Sequence, residues 1–174
     1  GNRHPAMAPQ GVYRCSGDDQ WVAISVAGNE QWQGLRRAVG DPAWATDAAY
    51  DSLKGRIEGH DAIDAGITKW TREREHYQVM HCLQAEGVAA APVLNAEGVS
   101  QDPQMQALGY MVEVDHKEVG KRVIPGIPGR FSAMPQLDYR GSPLLGEHNE
   151  DVFCGLLDLS RERFNELVAA EVIY

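Results

Sequence analysis

The sequence lacks the short motifs that carry a chemical mechanism by themselves. It contains no GxSxG, HExxH, GxxxxGK[ST] or GxGxxG pattern, so no activated serine, zinc helix or nucleotide-binding loop is indicated locally. Basic residues are also few, since 16 Lys and Arg stand against 25 Asp and Glu for a net charge of -9. Such a charge repels a phosphate backbone, so we expect no nucleic-acid partner.

Cysteines and long apolar runs are scarce as well. Cys15, Cys82 and Cys154 are an odd number without CxxC spacing, which argues against a disulfide framework and a zinc site and predicts reduced, buried thiols. The run VAAAPVL (88–94) is far shorter than the roughly 20 residues of a membrane helix, and no signal-peptide pattern is present. We therefore expect a cytoplasmic protein with no membrane partner.

What is present is an ordinary globular composition. The 174 residues are 43% hydrophobic and 24% charged, which is typical of a soluble chain of one domain or slightly more. The first residues, GNRHPAMAPQG, contain no initiator methionine and lead through turn residues into a strand. We expect the chain to be a piece of a longer protein.

Strand signals occur at both ends of the first 128 residues. The runs VYRCS (12–16) and WVAISVA (21–27) flank the turn sequence GDDQ and predict a hairpin. The runs YMVEVDH (110–116) and GKRVIPGIP (120–128) predict another, in which Pro125 requires a sheet edge or a strand end. A buried strand is expected at 88–94, with all strands of this lobe in one sheet.

Helical spacing predicts three helices between the first hairpin and the 88–94 strand, and a short one after it. The first is capped by Asn29 and ends at Gly40, and the last is capped by Asp102 with Pro103 at its first position. Thr71 is the predicted cap of the third, which ends at Gly87. The expected inward residues are Trp32, Leu35 and Val39 in the first helix, Ile63, Gly66, Ile67 and Trp70 in the second, and Tyr77, Met80 and Leu83 in the third.

The predicted fold class is α+β. Residues 1–128 form a small mixed lobe, residues 129–146 an extended connector rich in proline and glycine, and residues 147–174 two C-terminal helices. The first of these helices carries Val152, Phe153, Leu156 and Leu157, and the second is capped by Ser160 and turns Phe164, Leu167 and Val168 inward.

Candidate chemical groups all have a structural alternative. His76 and His81 are five residues apart, which places them on different helix faces and does not suit a metal. The basic group His116, Lys117, Lys121 and Arg122 could meet an anion, but a solvated hairpin is favoured. Trp21, Trp32, Trp44 and Trp70 are expected in the core.

The stretch SPLLGEHNEDV (142–152) raises one further possibility. Glu147 and His148 could form an acid/base pair, because a histidine beside a carboxylate titrates near neutrality. Glu147 also stands where an acidic residue favours the start of a helix, and we prefer that explanation.

The ordered segments resemble a known family. They are APQGVYRCSGDDQWVAISV, WQGLRRAVGDPAWATDAAY, GRIEGHDAI, LQAEGVAAAPVLNAEGVSQDPQMQALGYMVEVDH, GIPGRFSAMP and SPLLGEHNEDV. Together they resemble the C-terminal half of the family III CoA-transferases, which include formyl-CoA and carnitine CoA-transferases and α-methylacyl-CoA racemases. The resemblance covers nearly the whole chain and implies that LLGEH is a crossover back to the large domain.

The resemblance also implies where chemistry lies. In this family the nucleophilic aspartate, most contacts to coenzyme A and the racemases' acid-base pair belong to an N-terminal Rossmann-like half, which these 174 residues do not match. The small domain supplies a loop that covers the acyl group and is glycine-rich in formyl-CoA transferases. The matching positions here are Met7, Ala8, Pro9 and Gln10, which lack the glycine run. We expect no catalytic and no metal-binding residue in this chain.

Three functions remain open at this point. The whole protein transfers CoA between carboxylic acids, with acyl-CoA and coenzyme A as substrates, or it is an acyl-CoA racemase or epimerase. Alternatively, the chain is an independent, non-catalytic module that binds an acyl-CoA or a protein. Family III enzymes form interlocked dimers, so the resemblance also implies a homo-oligomer.

Overall fold

The computed structural model describes residues 2–135 and 137–174 and has the predicted α+β class. The strands are β1 (Gln10–Arg14), β2 (Trp21–Ser25), β3 (Ala89–Val93), β4 (Met111–His116) and β5 (Gly120–Pro125). The helices are α1 (Asn29–Val39), α2 (Leu53–Glu58), α3 (His60–Thr71), α4 (His76–Ala85), α5 (Ala96–Gln101), α6 (Pro103–Leu108) and α7 (Arg161–Ala169), with a 3-10 turn at Ala48–Asp51 and a π-helix at Asp151–Leu156.

The contacts divide the chain into two compact units, one ending at Ala96 and the other running from Glu97 to Tyr174. In the first, β1, β2 and β3 form an antiparallel sheet in that order. In the second, β4 and β5 form a separate antiparallel hairpin. The expectation of a single sheet was therefore wrong, whereas both predicted hairpins are confirmed. The domain boundaries at 128 and 146 stay a prediction.

Helices α1, α3 and α4 cover one face of the three-stranded sheet. The side chains on that face alternate with those on the open face, as the period of a strand requires. Val22, Ile24 and Tyr13 point into the core, where Trp32 and Leu35 of α1 are fully buried. The other core members are Cys15, Val26, Ala45, Ile63, Ile67, Val79, Leu83, Val88 and Ala90.

The other sheet face is not covered by these helices. Its side chains form three rows across the strands, of which the middle row, Val12, Ala23 and Ala91, is apolar. Strand β3 was expected to be buried, but Ala91 and Val93 are exposed because they lie on this face. Trp21 lies there too, with its indole N–H donating to Asp19 over 2.8 Å, so its predicted core position was wrong.

Several helix ends differ from the predictions. The cap of α1 is Gly28, and the side chain of Asn29 instead accepts a hydrogen bond from Arg56. Thr71 is the last residue of α3 rather than the cap of α4, because its hydroxyl donates to the carbonyl of Arg14 over 2.8 Å. In α4 the buried side chains are His76, Val79 and Leu83, whereas Tyr77 and Met80 are only half-buried.

The second unit agrees more closely with its pattern. Asp102 caps α6, which begins at Pro103, and Ser160 caps α7. The described residues between 128 and 143 contain no helix or strand, as expected for a connector. The helix pair at the end of the chain is confirmed, although the first member is a π-helix and Leu156 and Leu157 are exposed. Val168 of α7 is exposed too, so its predicted inward position was wrong.

Candidate functional site

The segment Met7–Gln10 leads into β1 at the edge of the three-stranded sheet. Ala8 and Pro9 are buried, and Met7 and Gln10 are half-buried. The sulfur of Met7 accepts a hydrogen bond from the Ser25 hydroxyl over 3.7 Å, and Gln10 is the residue that pairs with Ser25 in the sheet. All four residues that the sequence singled out therefore lie along one short, ordered path.

Three partners from different elements bind the backbone of this segment. Val26 N–H donates to the Pro9 carbonyl over 2.9 Å. Arg56 Nε–H of α2 donates to the Ala8 carbonyl over 2.8 Å. Gln10 N–H donates to Nε2 of His60, the first residue of α3, over 3.2 Å. The segment is thus held by one backbone group and two side chains, and its position depends on α2 and α3.

Arg56 is a buried cation, with 1% of its surface exposed. Its Nη1 donates to the Asn29 side chain and to the Tyr50 carbonyl, each over 2.9 Å. The guanidinium lies 5.7 Å from the ring centroid of Trp32, within the range of a cation–π contact. Desolvation lowers the pKa of Arg56, but an arginine stays protonated in proteins. A permanent charge is therefore held here by neutral acceptors and an aromatic face.

His60 belongs to a second polar cluster, which lies between β1 and α3. The Asp64 carboxylate is 3.5 Å from His60 Nε2 and accepts a hydrogen bond from the Tyr13 hydroxyl over 2.7 Å. Arg3 binds Asp64 over 3.0 Å and also binds Asp61. Burial raises the pKa of Tyr13 well above its usual range, and the bond to Asp64 raises it further. The phenol therefore remains a donor at all ordinary pH values.

A groove of about 640 Å³ opens on the uncovered sheet face next to this segment. Small side chains, Ala23, Ala89 and Ala91, line it together with polar groups that include Gln10 and Arg3. The buried Oε1 atom of Gln10 has no hydrogen-bond partner among the described residues. Among the described residues, the lining contains no carboxylate, histidine or cysteine. Such a groove can receive a small, partly apolar group. Its Ser25 hydroxyl donates to the sulfur of Met7, and the described lining has no histidine or carboxylate that could activate it.

Glu147 and His148 do not form an acid/base pair with each other. Glu147 accepts the Leu144 N–H over 2.8 Å and forms an ion pair with Lys117. These contacts, Lys117 first, lower the pKa of Glu147. His148 lies 3.8 Å from Asp151 instead. The Glu147 carboxylate therefore has a structural role, because it closes the turn before the C-terminal helices.

The remaining candidate residues make contacts that stabilise the fold or leave them without a chemical partner of the expected kind. Lys121 pairs with Glu113, so part of the basic hairpin is neutralised by its own strand. His76 is buried with its ring edge-to-face against Tyr77, and no group of His, Cys, Asp or Glu in the described ranges is arranged for a metal. Cys15 is buried, which raises its pKa to about 11. Cys82 is exposed, so the expectation of three buried thiols was wrong.

Arg56 and His60 were not singled out by the sequence reasoning. Both lie in GRIEGHDAI, four residues apart, and the chain there passes from α2 to α3. No hydrophobic period identifies a charged residue as buried. The one available signal was the position of both residues inside a segment that carries the family resemblance.

Solved structures share this fold. A CAIB/BAIF family protein from Brucella suis is 28% identical, with a TM-score of 0.69 over 90% of this chain and 39% of that one. The D175A mutant of Rv3272 from Mycobacterium tuberculosis has a TM-score of 0.65 over 90% of this chain and 41% of that one, at 20% identity. The fold is therefore that of one part of larger proteins.

The sequence comparisons define the family. The model of CoA-transferase family III matches residues 1–149, and the chain belongs to that family. A probable CoA-transferase of Mycobacterium tuberculosis is 28% identical over 98% of this chain and 22% of its own length. A formyl-CoA:oxalate CoA-transferase of Bradyrhizobium diazoefficiens is 29% identical over 92% of this chain and 38% of its own length. The chain thus spans well under half of these curated relatives.

Proposed function

We propose that this chain is the part of a CoA-transferase that covers the acyl group, and that the whole protein moves coenzyme A between carboxylic acids. The family match over residues 1–149 carries the proposal. The ordered Met7–Gln10 segment and the groove beside it support it, because covering an acyl group requires a fixed wall and a space of matching size.

The segment itself favours an acyl group other than formyl. It has no glycine run, and Ala8 and Pro9 are held by hydrogen bonds to their carbonyls. Since side chains and bound carbonyls restrict the backbone angles, this segment closes over a substrate less freely than a glycine-rich loop. The relatives named formyl-CoA:oxalate CoA-transferases are therefore guides to the reaction class rather than to the acyl group.

The chain by itself is expected to be inactive. The family resemblance assigns the nucleophilic aspartate and most coenzyme A contacts to the N-terminal half. Here Asp18 and Asp19 are exposed in the β1–β2 turn, Asp102 caps α6, and Glu147 closes a turn. None of these carboxylates lines the groove, so none can attack a thioester bound there.

The experiment compares the chain with the longer protein that contains it. Each is incubated with a panel of acyl-CoA donors and carboxylate acceptors, and exchange of the thioester is followed by mass spectrometry. We expect exchange with the longer protein only. Inversion at the α-carbon without exchange would support a racemase instead. Turnover by the chain alone that is lost in Glu147→Gln would show that Glu147 is catalytic.

A further inference from the structure

The hydrogen bond between Gln10 and His60 has a protonation requirement. Gln10 N–H is the donor, so Nε2 of His60 must accept and must carry no hydrogen. The neutral imidazole with its proton on Nδ1 satisfies this requirement, whereas the imidazolium has a hydrogen on both nitrogens. His60 is 3% exposed, so water has little room to take over as acceptor.

The second anchor of the segment has no such requirement. Arg56 stays charged at every accessible pH, so it donates to the Ala8 carbonyl whether His60 is neutral or protonated. The two anchors lie on either side of the α2–α3 junction and bind backbone groups two residues apart. Protonation of His60 would therefore remove the hydrogen bond to the Gln10 N–H and leave the Arg56–Ala8 and Val26–Pro9 hydrogen bonds in place.

We propose that His60 is a positioning residue that holds Gln10 at the end of the groove only while its imidazole is neutral. Gln10 lines the groove, so its release changes the wall that the proposed acyl site presents. The consequence for substrate rests on the proposed function, but the protonation-dependent contact itself does not.

The charged groups around His60 determine which acceptor the N–H of its protonated Nε2 would bind. Protonated Nε2 would turn its N–H toward Asp64, whose Oδ1 is 3.5 Å away. The Asp64 carboxylate already accepts a hydrogen bond from the Tyr13 hydroxyl and pairs with Arg3, so protonated His60 would share it with both residues. Among the described residues, the charged or titratable groups of this cluster are Arg3, Tyr13, Asp61 and Asp64, and Arg56 binds the nearby Ala8 carbonyl.

The test uses the 174-residue chain labelled with ¹⁵N and requires no substrate. Amide and imidazole signals are recorded by NMR between pH 5 and 8, and hydrogen-exchange protection factors are measured for Gln10 and Val26. We expect the Gln10 amide signal to follow the His60 ring with the same midpoint. Its protection should fall about tenfold on protonation, the effect of one lost hydrogen bond, while Val26 changes less.

Two variants separate positioning from a general loss of structure. In His60→Gln, an amide oxygen near the position of Nε2 accepts without titrating, so Gln10 should stay protected and its pH dependence should disappear. In His60→Phe the acceptor is lost, and protection should be low at every pH. His76→Gln, the matched change at a buried histidine of α4, should leave the Gln10 profile unchanged.

Two results would overturn the proposal: a Gln10 amide that does not follow the His60 ring, or a pH step at Gln10 that survives in His60→Gln. Both measurements remain decisive if His60→Phe does not fold. Because no turnover is measured, absence of CoA-transferase activity in the longer protein would count against the proposed function alone.

Discussion

At the scale of single residues, Arg56 shows how this fold retains a buried charge. Removing a cation from water is unfavourable unless polar partners replace the solvent. Arg56 binds three acceptors contributed by Ala8, Asn29 and Tyr50, and its positive charge lies near the face of Trp32. One side chain thereby joins the segment before β1 to α1, α2 and the turn before α2.

Arg56→Met should lower the free energy of unfolding by about 3 kcal/mol, because a side chain of similar length leaves the buried Ala8 carbonyl and the part-buried Asn29 and Tyr50 oxygens without this donor. Urea titration followed by tryptophan fluorescence measures this loss. Arg37→Met is the matched control, since its ion pair with Glu86 is largely exposed and should contribute less than about 1 kcal/mol. Equal losses in the two variants would contradict the assigned role.

Glu147 gives a pH-dependent prediction. Its folded-state pKa is lowered, first by Lys117 and then by the Leu144 N–H. Its contribution to stability is therefore fully present above the ordinary glutamate pKa of 4.5 and is lost as the pH falls through the lowered folded value. In Lys117→Met the carboxyl pKa, measured by ¹³C NMR, should rise toward 4.5. An unchanged value would mean that Lys117 is not its main partner.

At the scale of elements, the packing of α1 depends on a close approach to the end of α4. Gly34 of α1 faces Glu86, and a Cβ atom at Gly34 would lie 2.2 Å from the Glu86 carbonyl oxygen. The same helix presents Trp32 and Leu35 to the core. A backbone atom rather than a flexible side chain blocks the space, so the neighbour cannot simply turn away.

Gly34→Ala should therefore lower the free energy of unfolding by about 2 kcal/mol, although alanine has the higher helix propensity. Thermal and urea unfolding measure the change. Gly155→Ala is the control, because apart from its chain neighbours and its own helix backbone no atom lies within 4 Å of its added Cβ. This change should leave stability unchanged or slightly higher. An unchanged free energy of unfolding in Gly34→Ala would show that α1 and α4 can move apart without loss of stability.

At the scale of the whole molecule, the chain exposes several large apolar side chains near its C-terminus. Leu145 is 92% exposed, and Leu156 and Leu157 are 77% and 61% exposed. Phe153 and Phe164 contact each other, with ring centroids 6.2 Å apart, but leave these leucines uncovered. Among the described residues, no helix has the length and apolarity that a membrane crossing requires.

We expect the chain to self-associate through these leucines, because bare apolar faces in water tend to find another chain. Multi-angle light scattering should show a mass above 19.1 kDa that rises with concentration. Leu156→Asp together with Leu157→Asp should shift the chain toward monomer without changing its circular dichroism. A strict monomer at high concentration would contradict this expectation.

The sequence alone determined the two hairpins, several helix starts and the family. Alternating runs predicted both hairpins, and Asp102, Pro103 and Ser160 predicted helix starts, because strand periods and helix caps depend on near neighbours. The ordered motifs also placed the chain in CoA-transferase family III, which the family match confirms. Hairpins, helix starts and family motifs can be predicted without knowing which elements pack against each other.

Only the tertiary structure decided which contacts join distant residues. It placed β4 and β5 in a different sheet from β1, β2 and β3, and it put Trp21 on the open face. It also showed that the Thr71 hydroxyl donates to the Arg14 carbonyl, whereas Thr71 was expected to cap α4. It also brought Arg56 into contact with Ala8 and His60 into contact with Gln10, although the members of each pair are about fifty residues apart in the sequence. A sequence pattern records the period of each element, but the partner of a buried polar group is set by how the elements pack, because only packing removes the water that the group would otherwise bind.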